Sequence, residues 1–189
     1  MTVTKAKLTK QFNIRNLLFV FLLAFGPFLS SDSLIEAITS EYRDPKNILR
    51  DEYRNPYETL VFFGIEPSMK VIELSPGGGW YTEILANYLH DSGELIAAHF
   101  DENSNNNYFK KSRKKFEKKM SSNSVYKNVK IVNLTSKLSM PQSVDAVLTF
   151  RNLHNWLGPT MDSIFANSFK ALKPGGIFGV VEHRAEEGT

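Results

Sequence analysis

An apolar stretch followed closely by three glycines constrains the fold of this 189-residue chain more than any other feature. Residues Lys70–Leu74 (KVIEL) are mostly β-branched or apolar, and Gly77–Gly79 follow after Ser75 and Pro76. Trp80–Leu89 then repeats apolar residues at the spacing of one helix face. Strand, glycine turn and helix in this order predict a site where backbone N–H groups and a helix N-terminus approach an anionic ligand. A tight turn without a ligand remains the alternative.

Further strands and helices alternate along the rest of the chain. This alternation predicts an α/β fold with a Rossmann-like, doubly wound, mostly parallel sheet, in which ligands bind beyond the carboxyl ends of the strands. The expected strands are Leu95–Phe100, Val129–Leu134, Val144–Phe150 and Ile177–Glu182, and the expected helices are Tyr108–Met120 and Met161–Leu172.

Short helices are expected ahead of the first strand. Pro45–Tyr53 and Pro56–Phe63 each begin with a proline, which suits the first position of a helix. The sequence therefore divides into a signal peptide or anchor (1–31), an N-terminal helical segment (32–69) and the α/β domain (70–189).

The N-terminus has the plan of a targeting segment. Residues 1–15 are polar and positive, residues 17–29 (LLFVFLLAFGPFL) are an uncharged apolar run, and Ser30 and Ser31 are small enough for cleavage. The run has 13 residues, whereas a bilayer span needs about 20. We expect a secretory signal peptide and export, to the periplasm in a Gram-negative bacterium. An uncleaved inner-membrane anchor and a buried helix are the alternatives.

Composition excludes several kinds of site. The chain has no cysteine, which rules out thiol catalysis, disulfides and cysteine-ligated zinc. The net charge is +3, but residues 1–31 hold four cations and no acid, so residues 32–189 carry a net charge of −1. Charge therefore gives no general argument for nucleic-acid binding, and we expect none.

Three features together resemble the class I S-adenosylmethionine-dependent methyltransferases. Glu73 precedes the glycines, Asp145 opens a later strand, and Leu172–Gly176 (LKPGG) stands before the last expected strand. The resemblance covers residues 70–183. Residues 51–56 (DEYRNP) and 77–82 (GGGWYT) are similar to a bacterial group of predicted methyltransferases, many of which carry signal peptides.

The resemblance implies a cofactor, S-adenosylmethionine, and residues that bind it. Gly77 and Gly79 would bring backbone to the methionine part, and Glu73 would hold its amino group, directly or through water. Ser75 stands where the family has its first glycine, which is a mild departure because serine is small.

Two further cofactor contacts depart from the family pattern. The ribose hydroxyls usually meet an acid at the end of the second strand. This chain has His99 there and Asp101 two residues on, and we favour Asp101. Arg54 is a candidate for the cofactor carboxylate, with a surface salt bridge as the alternative.

The loop after the fourth strand, Arg151–Trp156, borders the transferred methyl group in this family. Asn152 and His154 are therefore the candidates for orienting the methyl acceptor or removing its proton. A loop histidine that merely caps the next helix or packs on Trp156 is the alternative. His183 is equally ambiguous. No metal-ligand spacing is evident among the histidines, and methyl transfer requires no metal or nucleophile.

The helix expected over Tyr108–Met120 is very basic. It could bind an anionic surface or nucleic acid. We favour an outer helix with Phe109 and Phe116 toward the sheet and the lysines in water, and expect membrane contact only through residues 17–29, if these are not removed.

The family fold has seven strands, and the last two are not found here. We therefore expect a truncated domain, whose fifth strand would be a bare apolar edge. The first hypothesis for function is an exported methyltransferase whose acceptor is a small molecule or is unknown. The alternatives are an inactive S-adenosylmethionine-binding module and, with less support, a nicotinamide-dependent oxidoreductase.

Overall fold

The computed structural model describes residues 33–184 and 188. Its strands are β1 (Lys70–Leu74), β2 (Glu94–His99), β3 (Lys130–Asn133), β4 (Val144–Phe150) and β5 (Leu172–Val181). Its helices are α1 (33–38), α2 (Pro45–Ile48), α3 (Asp51–Arg54), α4 (Pro56–Phe62), α5 (Trp80–Tyr88), α6 (Asn107–Met120) and α7 (Pro159–Ala171). Two short 3-10 turns, Ser124–Tyr126 and Leu153–Asn155, precede β3 and follow β4.

Within the described residues the strands form one parallel sheet in the order β3-β2-β1-β4-β5. The chain runs from β1 outward to β3 and then returns to place β4 on the other side of β1. The topological switch point therefore lies between the carboxyl ends of β1 and β4, where open α/β sheets bind ligands. This confirms the predicted Rossmann-like fold.

The core has two layers, one on each face of the sheet. Because side chains alternate along a strand, Val71 packs with α1, α4, α5 and α6, whereas Ile72 packs with α7. Residues of the inner strands β1, β2 and β4 are buried on both faces, as a covered parallel sheet requires, whereas Phe178 and Val180 of the edge strand β5 are partly exposed.

The sequence placed β1 and β4 correctly and the other sheet strands within a few residues, but two segments differ. The helix expected over Pro45–Tyr53 is divided into α2 and α3. The Asn47 carbonyl, which would extend the helical ladder, instead accepts hydrogen bonds from the Arg50 N–H and from Trp80 Nε1 at 2.8 Å. β5 begins at Leu172, ahead of the predicted Ile177, because Leu172 already pairs with Val144. The residues between Leu172 and Ile177 form a bulge before pairing resumes at Ala146 and Ile177.

The predicted targeting segment, residues 1–31, lies outside the described residues. Among the helices that the structure describes, none has the length and apolar character needed to cross a bilayer.

A buried arginine fastens the N-terminal segment to the sheet domain. The Arg43 guanidinium donates to both carboxylate oxygens of Asp51, at 2.6 and 2.8 Å, and its Nε lies 3.7 Å from a Glu83 oxygen. Glu83, on α5, is fully buried and also accepts from Asn47 Nδ2 at 2.9 Å. The segment is thus joined to the helix that follows the glycine loop.

Replacing Arg43 by methionine is expected to lower the free energy of unfolding by about 3 kcal/mol, because the part-buried Asp51 loses its cation and the fully buried Glu83 keeps only Lys119. Urea unfolding measures the change. Lys173→Met is the control, since it breaks an exposed pair with Asp145 and is expected to change stability by less than about 1 kcal/mol. Equal small losses in both variants would show that Arg43 does not hold the segment.

Candidate functional site

The loop that joins β1 to α5 has a backbone that favours glycine. Ser75, Gly77 and Gly79 have φ values of 50°, 58° and 81°, in the left-handed region. The Ser75 N–H donates to the Ala98 carbonyl of β2 at 2.8 Å, which fixes the start of the loop. A Cβ added at Gly77 or Gly78 would meet no atom within 4 Å. The loop therefore borders open space in which a ligand can approach its backbone.

Two side chains hold the carbonyls of this loop. His99 Nδ1 accepts from the Phe100 N–H at 2.7 Å, so the proton is assigned to Nε2, which donates to the Gly77 carbonyl at 3.2 Å. Lys119 of α6 donates from Nζ to the Gly78 carbonyl at 2.8 Å. The loop conformation is therefore supported from β2 and from α6.

The two ribose candidates have different surroundings. Burial lowers the pKa of His99, which keeps the ring neutral, and both of its nitrogens are engaged inside the protein. Asp101 is exposed and accepts from the Asn103 N–H at 2.9 Å and from Asn133 Nδ2 at 3.2 Å. The geometry favours a positioning role for His99, and a cofactor contact of either residue stays a prediction.

Glu73 lies beneath the glycine loop, on the side of α5 and α6. Its carboxylate is buried and accepts from the Thr82 hydroxyl at 2.6 Å. Burial raises the pKa of Glu73 to about 7, although the Thr82 hydrogen bond and the Lys119 ammonium oppose the rise. The predicted contact with the cofactor amino group stays a prediction.

The raised pKa of Glu73 makes a pH-dependent prediction. From pH 4.5, the ordinary pKa, to about 7, the folded protein holds a proton that the unfolded chain has lost. Wild-type stability should therefore fall as the pH rises through this window. Glu73→Gln lacks this penalty. Its free energy of unfolding relative to that of wild type should therefore rise by about 3 kcal/mol from pH 5 to pH 8.

Urea unfolding at both pH values measures this gain. Glu66→Gln, which alters an exposed glutamate after α4, is the control for a general effect of removing one carboxylate. A Glu73→Gln difference that is the same at pH 5 and pH 8 would contradict a raised pKa.

Asn152 connects the carboxyl ends of β1 and β4. Its Nδ2 donates to the carbonyls of Phe150 and Ser75 at 3.0 and 3.2 Å, and Thr149 Oγ1 lies at 3.3 Å. The preceding Arg151 has a φ of 64°. The amide nitrogen of Asn152 thus sets the position of the loop that carries His154, and its predicted contact with the acceptor is untested.

His154 forms a hydrogen-bonded pair with Glu182 at the end of β5. Its Nδ1 lies 3.0 Å from Glu182 Oε1, and its Nε2 lies 3.1 Å from Asn155 Nδ2. An ionised carboxylate and an amide NH₂ together assign the proton to Nδ1 and the lone pair to Nε2. Burial of Glu182 acts to raise its pKa, but hydrogen bonds from His183, His154 and Leu153 hold it below its ordinary value.

His183 lies beside this pair. Its ring centroid is 5.5 Å from that of His154. One potential ligand atom from each of His154, Glu182 and His183 lies within 4.8 Å of the others, a grouping that spacing in the sequence did not reveal. The formed His154–Glu182 bond explains the arrangement without an ion.

Arg54 stands at the border of the crevice. Its guanidinium lies over the Trp80 ring, 4.8 Å from the centroid, and it forms no ion pair with any described residue. Its Nε is buried without a hydrogen-bond partner, as is the Ser75 hydroxyl. Burial and the neighbouring Arg50 and Arg151 lower the pKa of Arg54. The surface salt bridge considered from the sequence is absent from the described residues, and an anionic ligand fits here.

The sequence did not identify three supporting residues. Lys119 contacts the glycine loop at Gly78, 41 positions away in the sequence. Thr82 contacts Glu73, 9 positions away, and Glu182 contacts His154, 28 positions away. For Glu182 the available signal was its position after a strand, since residues at the carboxyl ends of neighbouring parallel strands must meet. Thr82 and Lys119 lie within α5 and α6 and carry no such signal.

Comparison with known proteins identifies the family of this domain. A model of the methyltransferase domain family matches residues 72–180, more than half of the chain. No curated protein matches the sequence significantly.

Solved structures share the fold at low identity. A SAM-dependent methyltransferase from Aquifex aeolicus superposes with a TM-score of 0.60 at 18% identity, over 77% of this chain and 73% of that one. A SAM-dependent O-methyltransferase from Thermotoga maritima has a TM-score of 0.50 at 19% identity, over 78% of this chain and 49% of that one. A geranyl diphosphate methyltransferase has a TM-score of 0.53 at 12% identity, over 69% of this chain and 45% of that one.

The glycine loop is open where the methionine part of a cofactor is expected, the Ser75 hydroxyl of this loop has no partner, and the unpartnered Arg54 guanidinium lies over Trp80, the residue that follows the loop. The described residues therefore fit S-adenosylmethionine. The chain belongs to the methyltransferase domain family and has its Rossmann-like class I fold.

Proposed function

We propose that this protein methylates a small-molecule acceptor through an oxygen or nitrogen that carries a proton, and that His154 removes that proton. The observation that carries the proposal is the His154–Glu182 pair. A carboxylate on Nδ1 fixes the lone pair on Nε2, where the acceptor would take the place of the Asn155 amide, and stabilises the imidazolium that forms.

The protein has little covalent chemistry to perform. S-adenosylmethionine supplies a methyl group that is already electrophilic because it is bound to a sulfonium. Gly77 and Gly79 would receive the methionine part, Arg54 its carboxylate and Asp101 the ribose. Asn152 would hold the loop so that His154 meets the acceptor, and placement of the acceptor then accounts for most of the rate.

The experiment that tests this proposal compares acceptor classes. Wild-type protein is incubated with S-adenosylmethionine and a phenol, an aliphatic amine or a carboxylate, and formation of S-adenosylhomocysteine is measured. A phenol or an amine must lose a proton, whereas a carboxylate has none to lose. We expect His154→Gln to slow transfer to the first two classes only. Cofactor binding without transfer to any acceptor would favour the inactive module.

Export is a separate part of the proposal. The apolar run at 17–29 and the cations before it support a signal peptide or an inner-membrane anchor. Fractionation of cells that express the full chain and a chain lacking residues 1–31 tests it. Both forms in the cytoplasm would contradict export, and would also remove the question of how the cofactor is supplied outside the cytoplasm.

A further inference from the structure

We propose that the exposed lysine face of α6 binds the anionic phospholipid surface of a membrane. This face consists of five lysines, all exposed to solvent: Lys110, Lys111, Lys114, Lys115 and Lys118. The face lies on the outer side of α6 and borders the groove that Gly77 and Gly78 of the glycine loop also line, and the proposal does not depend on the acceptor.

Charge on this protein is concentrated on one helix. Residues Asn107–Met120 hold seven cations and one acid, whereas residues 32–189 as a whole carry a net charge of −1. A helix of 14 residues is about 21 Å long. The result is a short, strongly positive strip on a domain that is otherwise slightly negative.

The strip is not used to hold the fold. The other two cations of α6 are engaged: Arg113 pairs with Glu117, and Lys119 pairs with Glu83 and the glycine loop. The five lysines of the exposed face form no ion pair with any described residue. They are therefore available to a partner.

The spacing of these lysines is unfavourable for an isolated helix. Lys110, Lys114 and Lys118 lie four residues apart, as do Lys111 and Lys115. Like charges at this spacing destabilise a helix. An anionic partner would attract these lysines and offset their mutual repulsion, whereas water and salt only screen it.

The shape of the face favours a lipid surface over other anionic partners. Phe116 and Met120 on the opposite side of α6 are buried in the core, so the helix binds by charge and does not insert. Tyr108, at its first turn, is 68% exposed, and tyrosine suits the headgroup region. Single-stranded nucleic acid is bound by several stacking aromatic rings, whereas Tyr108 is the one exposed aromatic residue of this described helix.

The position of the face in the chain supports the same partner. A groove of about 900 Å³ separates α6 from the N-terminal segment, with Lys111, Lys115 and Lys118 on one wall and Tyr42 on the other. Tyr42 lies 13 residues after the apolar run 17–29 in the sequence. The apolar run 17–29, which we propose reaches a membrane, therefore precedes in the sequence the segment that forms the wall opposite the lysines.

The test measures binding of the full chain to vesicles. Lys110, Lys114 and Lys118 are replaced together by glutamine, which preserves helix propensity. The control replaces three exposed lysines elsewhere, Lys127, Lys137 and Lys170, and has the same net charge. Vesicles of phosphatidylglycerol mixed with phosphatidylcholine are compared with pure phosphatidylcholine, at low and high salt.

We expect wild type and the control to prefer the anionic vesicles, and the α6 variant to bind them about a hundredfold more weakly, because each lysine contributes about fivefold. The preference should disappear at high salt. Equal binding by the two variants would overturn the proposal. So would equal wild-type binding to both kinds of vesicle, which would assign all membrane binding to the apolar run. Displacement from the vesicles by a short single-stranded DNA of equal charge would reassign the face to nucleic acid.

Discussion

Gly77→Asp is expected to weaken S-adenosylmethionine binding by at least about a hundredfold, because a carboxylate would stand against the anionic end of the cofactor in a site partly screened from water. The loop at Gly77 is open, so the new side chain would occupy ligand space without a clash in the free protein. Calorimetric titration of the variant with S-adenosylmethionine measures the loss.

Gly64→Asp is the matched control. Gly64 follows α4, has a φ of 60° compared with 58° at Gly77, and also has no atom within 4 Å of an added Cβ. The two variants therefore share the added charge and the backbone strain, and differ in location. An unchanged cofactor affinity in Gly77→Asp, in a folded protein, would remove the glycine loop from the site.

His154→Gln is expected to lower kcat for a phenol or amine acceptor by about 10²–10³-fold, the usual contribution of a general base. The affinity for S-adenosylmethionine should stay within about twofold, since the proposed role concerns only the acceptor. Glu182→Gln should also lower kcat, because an amide does not stabilise the imidazolium and can donate to Nδ1, which places the proton on Nε2 and removes the base. Steady-state kinetics and cofactor titration separate these effects.

His90→Gln is the control for His154. His90 Nδ1 also meets a carboxylate, that of Asp91 at 2.8 Å, but at the far end of α5. It should leave kcat unchanged. If His154→Gln retains wild-type kcat with every protonated acceptor that is turned over, His154 is a structural residue of the loop.

Much of the fold follows from local pattern. The run Lys70–Leu74 is apolar except for Lys70 and Glu73, and glycine adopts the left-handed backbone at Gly77 and Gly79 without steric cost, so the sequence predicts both the strand and the turn. Strand β4 was predicted residue for residue because its apolar run is bounded by polar residues on both sides.

What the sequence could not supply depends on contacts between distant residues. The division of Pro45–Tyr53 into two helices reflects the Trp80 indole bonding to the Asn47 carbonyl, and no local pattern indicates that partner. Glu182 was assigned only to a strand, because its role depends on the parallel pairing that places its end beside His154.

The roles of the predicted cofactor residues show the same limit. His99 was chosen as a ribose contact by its position after β2, yet its ring points under the glycine loop and donates to Gly77. The position of His99 in the sequence predicted that it lies near the cofactor loop. The direction of its side chain is set by packing against Phe116, with the two ring centroids 4.9 Å apart.

Titration of the full chain with S-adenosylmethionine, S-adenosylhomocysteine and a reduced nicotinamide dinucleotide tests the central claim most directly. Circular dichroism first establishes that the protein is folded. We predict micromolar binding of the first two compounds and none of the third, because the open glycine loop and Arg54 fit a single carboxylate-bearing cofactor. A folded protein that binds the nicotinamide compound, or none of the three, would contradict the account.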